Sequence, residues 1–141
     1  MRVLSAHLRD KQEKILQILE FLAEESATGI PIMVEGKKDI ETLKMLNVEG
    51  KIIAAKTGGK TLLDNVSEIE KTRKKEVILL LDFDRGGKEL TKRLAQHLEK
   101  TEVKPNLKFW LKLLNIVGKE VKDIEGLASY METLKCKIPN S

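Results

Sequence analysis

Two aspartates close the most apolar stretch of this chain. In VILLLDFDRGG, Val77–Gly87, five apolar residues run into Asp82 and Asp84, and Arg85, Gly86 and Gly87 follow at once. A second short apolar run, IPIMVE, ends on Glu35. Carboxylates crowded together repel, and each raises the proton affinity of the others. A hard divalent cation relieves that repulsion. Oxygen-only ligation by a few carboxylates suits Mg2+, which keeps several waters and shares a phosphate. Zinc is disfavoured, because His7, His97 and Cys136 are scattered along the chain. Alone, Asp84 reads as the N-cap of a following helix. The set Glu35, Asp82 and Asp84 reads as a metal site. Lys37, Arg85, Gly86 and Lys56 are the candidates for phosphate contact, the glycine because a phosphate can approach a helix N-terminus there. Against this stand solvated charge for the basic residues and a plain turn for Gly86.

Which elements position these residues follows from the periodicity. Leu8, Ile15, Leu16, Leu19, Leu22 and Ala23 form a helical stripe, with Ser5 as its expected N-cap. ATGIP ends that helix. The runs IPIMVE, KIIAA and EVILLL are short and continuously apolar, so they read as buried strands. Between and after them come stripes of helical spacing: Ile40, Leu43 and Leu46; Leu62, Leu63, Val66 and Ile69; Leu90, Leu94 and Leu98. NLKFWLKLLNIV is expected to be a helix with Phe109 and Trp110 in the core. VKDIEG is expected to be a fourth strand or strand-like edge, and LASYMETLK a closing helix.

A helix followed by β-α-β-α-β-α, with strands apolar throughout, implies a parallel sheet covered on both faces by helices. Ligands of such sheets bind beyond the carboxyl ends of the strands, where strand order reverses. If the first and third runs are neighbours and the second lies outside the first, that point falls between Glu35 and the aspartates. Residues two apart on a strand point the same way, so Asp82 and Asp84 are expected to converge while Phe83 packs. The expected organisation is an N-terminal amphipathic helix over 1–28, one domain over 29–135 and a tail over 136–141.

Composition bounds the function classes. The chain has 141 residues, with 26 Lys and Arg against 22 Asp and Glu, a formal net charge of +4. Mild basicity is compatible with a polyanionic partner. A lone cysteine staples nothing and fits a reducing cytosol, so a cytoplasmic location is expected. No apolar run approaches the ~18 residues of a membrane span, and no stretch reads as a signal peptide.

MVEGKKD followed by LLLDFDRGG resembles the Toprim domain shared by bacterial-type primases, topoisomerases, old-family nucleases and the small nuclease that matures ribosomal RNA. The resemblance covers Ile30 to Tyr130, and is nearest to small stand-alone Toprim proteins. It implies a three-layer α/β/α, Rossmann-like domain with a mainly parallel four-stranded sheet. It implies that Glu35 acts as general acid or base and that Asp82 and Asp84 coordinate Mg2+, with all three as the metal and catalytic set. Gly36 and Asp39 match the primase and small-nuclease form of the first motif. KTGG, Thr57–Gly59 with Lys56 before it, sits where the family has a glycine turn. VKDIEGL resembles the closing motif of the small nuclease, with Glu125 in the matching place. Lys88 departs from the pattern, standing where topoisomerases often carry another acid, which weakens a two-metal reading.

Two rival classes share an acidic strand end. Haloacid-dehalogenase-type phosphatases open their domain with Asp-x-Asp, and here the motif is on the third run. Response-regulator receivers put an acidic pair on the first strand and one aspartate on the third, the reverse of this distribution. The expectation is therefore Mg2+-dependent phosphodiester chemistry on RNA or DNA, most plausibly a small nuclease. The alternative is a non-catalytic module that binds Mg2+ and nucleic acid and works with a protein partner or as a homo-oligomer.

Overall fold

The structure, a computed structural model, describes residues 2–138. Ten elements follow in order: α1 (Arg2–Ala27), β1 (Ile32–Val34), α2 (Lys37–Met45), β2 (Ile52–Ala54), α3 (Leu62–Lys71), β3 (Glu76–Leu79), α4 (Arg85–Leu98), β4 (Lys104–Asn106), α5 (Lys108–Val117) and α6 (Ile124–Lys137). The four strands form one sheet in the order β2-β1-β3-β4, and every pairing is parallel. The α/β architecture, the covering helices and the N-terminal helix are those expected.

Alternation along the strands explains why the apolar runs are continuous. Ile32, Val34, Ile78 and Leu80 enter one core, shared with residues of α1, α2, α5 and α6. Met33, Ile53, Val77, Leu79 and Leu81 enter the other, shared with residues of α3 and α4. Both faces are buried, so no position of β1, and none of β3 after the half-buried Glu76, is left for a solvated side chain. α1 closes the first core through Ile15, Ile18, Leu19 and Leu22. Among the described residues no helix is long and apolar enough to cross a membrane.

Two expectations are corrected. The fourth strand is Lys104–Asn106, not VKDIEG. It pairs Glu76 with Lys104, Val77 with Pro105 and Ile78 with Asn106. As an edge strand it is only partly buried, so it carries no apolar run, and an edge tolerates a proline that cannot donate to the ladder. VKDIEG instead is the turn into α6, with Asp123 as its N-cap. One strand-like bond survives there, from the Phe83 N–H to the Lys122 carbonyl at 2.6 Å. Second, α1 starts at Arg2, so Ser5 lies inside the helix; its side chain is outside the described residues. α6 runs to Lys137, and Ile138 is buried. Residues 139–141 of the expected tail lie outside the described residues.

Candidate functional site

The site begins where β1 and β3 end. The β1–β2 ladder continues past both strands: the Ala55 N–H donates to the Val34 carbonyl at 2.9 Å, and the Lys56 N–H to the Glu35 carbonyl at 2.8 Å. Glu35 and Lys56 are therefore held in register, and the Lys56 ammonium meets Glu35 Oε2 at 2.9 Å. On the other side, the Leu80 N–H donates to the Met33 carbonyl at 2.8 Å. Two residues later the Asp82 N–H donates to Glu35 Oε1 at 3.3 Å. Glu35 is buried and thus bridges the ends of three strands.

β3 does not carry its alternation as far as Asp84. Phe83 packs into the same core as Leu80 rather than the opposite one, so the chain has already turned. The reason is local. Asp84 accepts the Gly87 N–H on Oδ1 at 2.8 Å and caps α4. Gly87 lies so close that a Cβ there would stand 2.1 Å from the Asp82 carbonyl oxygen. The turn is also held from below. The Trp110 indole N–H, on α5, donates to the Leu81 carbonyl at 2.9 Å and lies 3.4 Å from that of Asp82.

A cleft of about 350 Å3 opens above the strand ends, lined by Glu35, Asp39, Asp82, Asp123 and Glu125, with Lys37, Lys38 and Lys56. Asp39 ties its walls together. Its Oδ2 accepts the Gly36 N–H and its Oδ1 the Glu125 N–H, each at 3.1 Å. The start of α2 is thereby joined to the start of α6. Burial, then the neighbouring Glu35, Asp39 and Asp123 carboxylates, push the Asp82 carboxyl up to about 8. Burial likewise raises Asp39, against the two N–H groups that lower it. Glu35, with help from Asp82 and Asp84, raises Lys56.

Of the expected site residues, Glu35, Asp82, Lys37 and Lys56 share this cleft. Asp84 is exposed and lies outside its lining, although its charge reaches Lys56. Arg85 stands apart, its side chain 94% exposed and its guanidinium 3.6 Å from Glu89. Gly86 is exposed on the first turn of α4, and a Cβ there would meet nothing closer than Asp84 Oδ1 at 3.7 Å. Among the described residues no three Asp, Glu, His or Cys side chains already stand at the spacing of a metal-ligand set. Asp123 and Lys38 were missed by sequence reasoning. Asp123 carries a helix-start signature, an aspartate before Ile124 and Leu127, that the strand reading of VKDIEG hid.

Residues 31–113 match the Toprim domain. A UPF0292 protein of Methanocaldococcus jannaschii is 42% identical over 120 residues, covering 84% of this chain and 91% of that protein. Another, of Methanosarcina barkeri, is 37% identical over 129 residues, covering 92% and 88%. Among solved structures, a protein from Aquifex aeolicus superposes with a TM-score of 0.61 at 27% identity, covering 77% of this chain and 94% of that one. Toprim domains generally bind divalent cations and serve nucleic-acid metabolism. With a parallel sheet whose order reverses between Glu35 and Asp82, and with this match across more than half its length, the chain belongs to the Toprim family, among the small UPF0292 proteins of archaea.

Proposed function

We propose that the protein performs Mg2+-dependent phosphodiester chemistry on nucleic acid in the cytoplasm, cleaving structured RNA or DNA as a small Toprim nuclease. One observation carries this reading. Glu35 and Asp82, from neighbouring strands at the switch point, share a cleft with three more carboxylates and three lysines. The donor set fits a hard cation: it is all oxygen, and among the described residues Lys56 is the one cation paired with Glu35. Burial first, and then the neighbouring carboxylates, push the Asp82 carboxyl up to about 8, and a bound cation would relieve the repulsion. Asp82 and Asp84 would hold the cation, with Glu35 beside them. When bound, it supplies Lewis acidity at a phosphate oxygen and stabilises charge that develops there.

The chain's own residues do the rest. Glu35 moves the proton at Oε2 while its Oε1 stays on the Asp82 N–H. Lys56, its side chain 62% exposed, can turn from Glu35 to a phosphate oxygen. Lys37 and Arg85 contact neighbouring phosphates, and Gly86 leaves the start of α4 open to one.

A second reading is favoured by a specific contact. Both Glu35 oxygens are engaged, one by Lys56 and one by Asp82, as in a module that binds Mg2+ and nucleic acid and leaves catalysis to a partner protein. Nuclease assays on RNA and DNA, with and without Mg2+, separate the two. Glu35→Gln is expected to keep Mg2+ binding and lose roughly 10²–10⁴-fold in cleavage. A wild type that turns over no nucleic acid favours the second reading.

A further inference from the structure

A second group of cations lies beyond Asp84, outside the cleft. Exposed Lys88 stands one turn into α4 from the Asp84 cap. It lines a groove of about 590 Å3 whose other wall is the end of α5 and the α5–α6 turn, including Asn115 and Lys119. That turn is joined to the site, because the Lys122 carbonyl accepts the Phe83 N–H between the two aspartates. Lys88, Lys119 and Lys122 are all exposed. Among the described residues, none of the three is in an ion pair. The acid in the groove, Glu120, is already held by Lys11 at 3.2 Å.

The placement is locally unfavourable. Lys88 puts an unpaired positive charge near the positive end of a helix dipole, where Asp84 caps the helix and Arg85 is already paired with Glu89. Lys119 and Lys122 add like charge nearby. An external polyanion offsets both costs, and a phosphate backbone supplies one negative charge per nucleotide to successive ammonium groups.

We propose that this groove carries the nucleic-acid backbone out of the carboxylate cleft, with Lys88 and Lys119 in the groove, and Lys122 on the turn beside it, holding phosphates beyond the one at Asp82. The inference rests on the nucleic-acid reading above and deepens it. The substrate is a chain of several phosphates, and a mononucleotide fills the cleft alone.

The test is fluorescence anisotropy of labelled RNA and DNA oligonucleotides of equal length on the full chain, with Mg2+, across a salt series. Lys88→Glu with Lys119→Glu is compared with Lys74→Glu and Lys75→Glu, which lie before β3 at the opposite end of the sheet. Each lost phosphate contact removes about 0.7 from the salt slope for a single strand and about 0.9 for a duplex. The groove variant is therefore expected to show a slope shallower by about 1.4–1.8, with weaker binding at every salt concentration. The control keeps the wild-type slope. An unchanged rise in melting temperature on adding Mg2+ shows that the groove variant is folded with its cleft intact. A shallower slope with either nucleic acid supports the groove. If the wild type binds and the groove variant matches it, the groove is overturned and the cleft reading stands. If the wild type binds neither nucleic acid, both fall.

Discussion

Asp82 is half-buried beside Glu35, and its carboxyl is pushed up to about 8, first by burial and then by the Glu35 charge. An unfolded aspartate titrates near 3.9. Between those values the folded chain holds a proton that the unfolded chain has lost. Stability from this group is therefore present at the acid end and is lost as pH rises from about 4 to about 8. With divalent cations chelated, the melting temperature of the wild type is expected to fall across that window more steeply than that of Asp82→Asn, which cannot titrate. Melting curves at half-unit steps check it, and parallel profiles for the two proteins would reject the assignment. Mg2+ is expected to raise the wild-type curve most at the alkaline end, where the carboxylates are fully charged.

The turn from β3 into α4 places the acids, and it depends on one glycine more than on the acids themselves. At Gly87 a Cβ would stand 2.1 Å from the Asp82 carbonyl oxygen and 2.5 Å from its carbon, both backbone atoms. Neither can give way without moving the Asp82 backbone. At Gly86 the nearest neighbour is 3.7 Å away, and both glycines sit in a helical turn. Gly87→Ala is expected to cost at least the ~1–3 kcal/mol of a forced overpacking and to abolish the Mg2+ shift in melting temperature. Gly86→Ala is expected to be neutral or slightly stabilising, since alanine is the better helix former by about 1 kcal/mol. Urea unfolding of the two variants measures the contrast. Equal stabilities would mean that the turn does not depend on Gly87.

Across the whole molecule, α1 is a wall of the core and not an appendage. Ile15 and Leu22 are fully buried, in the same cluster as Ile32 and Val34 of β1 and Phe109 and Leu113 of α5. Ser26 then ties the end of α1 to the α2–β2 loop through the Glu49 carbonyl. Leu22→Ala is expected to cost about 2–5 kcal/mol, the usual range for emptying a core leucine site. Phe21 is 47% exposed on the neighbouring face, and Phe21→Ala is expected to cost less than about 1 kcal/mol. Denaturant midpoints of the pair test whether α1 is integral. Similar small losses at both positions would make it a detachable helix.

The sequence by itself determined the central elements. Three apolar runs had to be strands buried on both faces, because no shorter-period pattern leaves a polar side, and the amphipathic stretches between them had to cover those faces. Their order implied a parallel sheet, and the strand order that puts the switch point beside Glu35 came from the structure. What it could not determine depends on contacts distant in the chain. β4 escaped notice because an edge strand needs only backbone partners, and Lys104, Pro105 and Asn106 announce none. That Asp84 is exposed and caps α4 while Asp82 is half-buried in the cleft follows from Gly87 packing on a carbonyl and from Trp110 on α5, 28 residues away, reaching the same turn. Asp39 meets Glu125 across 86 residues, and Lys88 and Lys119 line one groove only because the start of α4 and the end of α5, which cover opposite faces of the sheet, come together there. Periodicity reports which side of its own element a residue faces. Which other element waits there is decided by the packing of the layers.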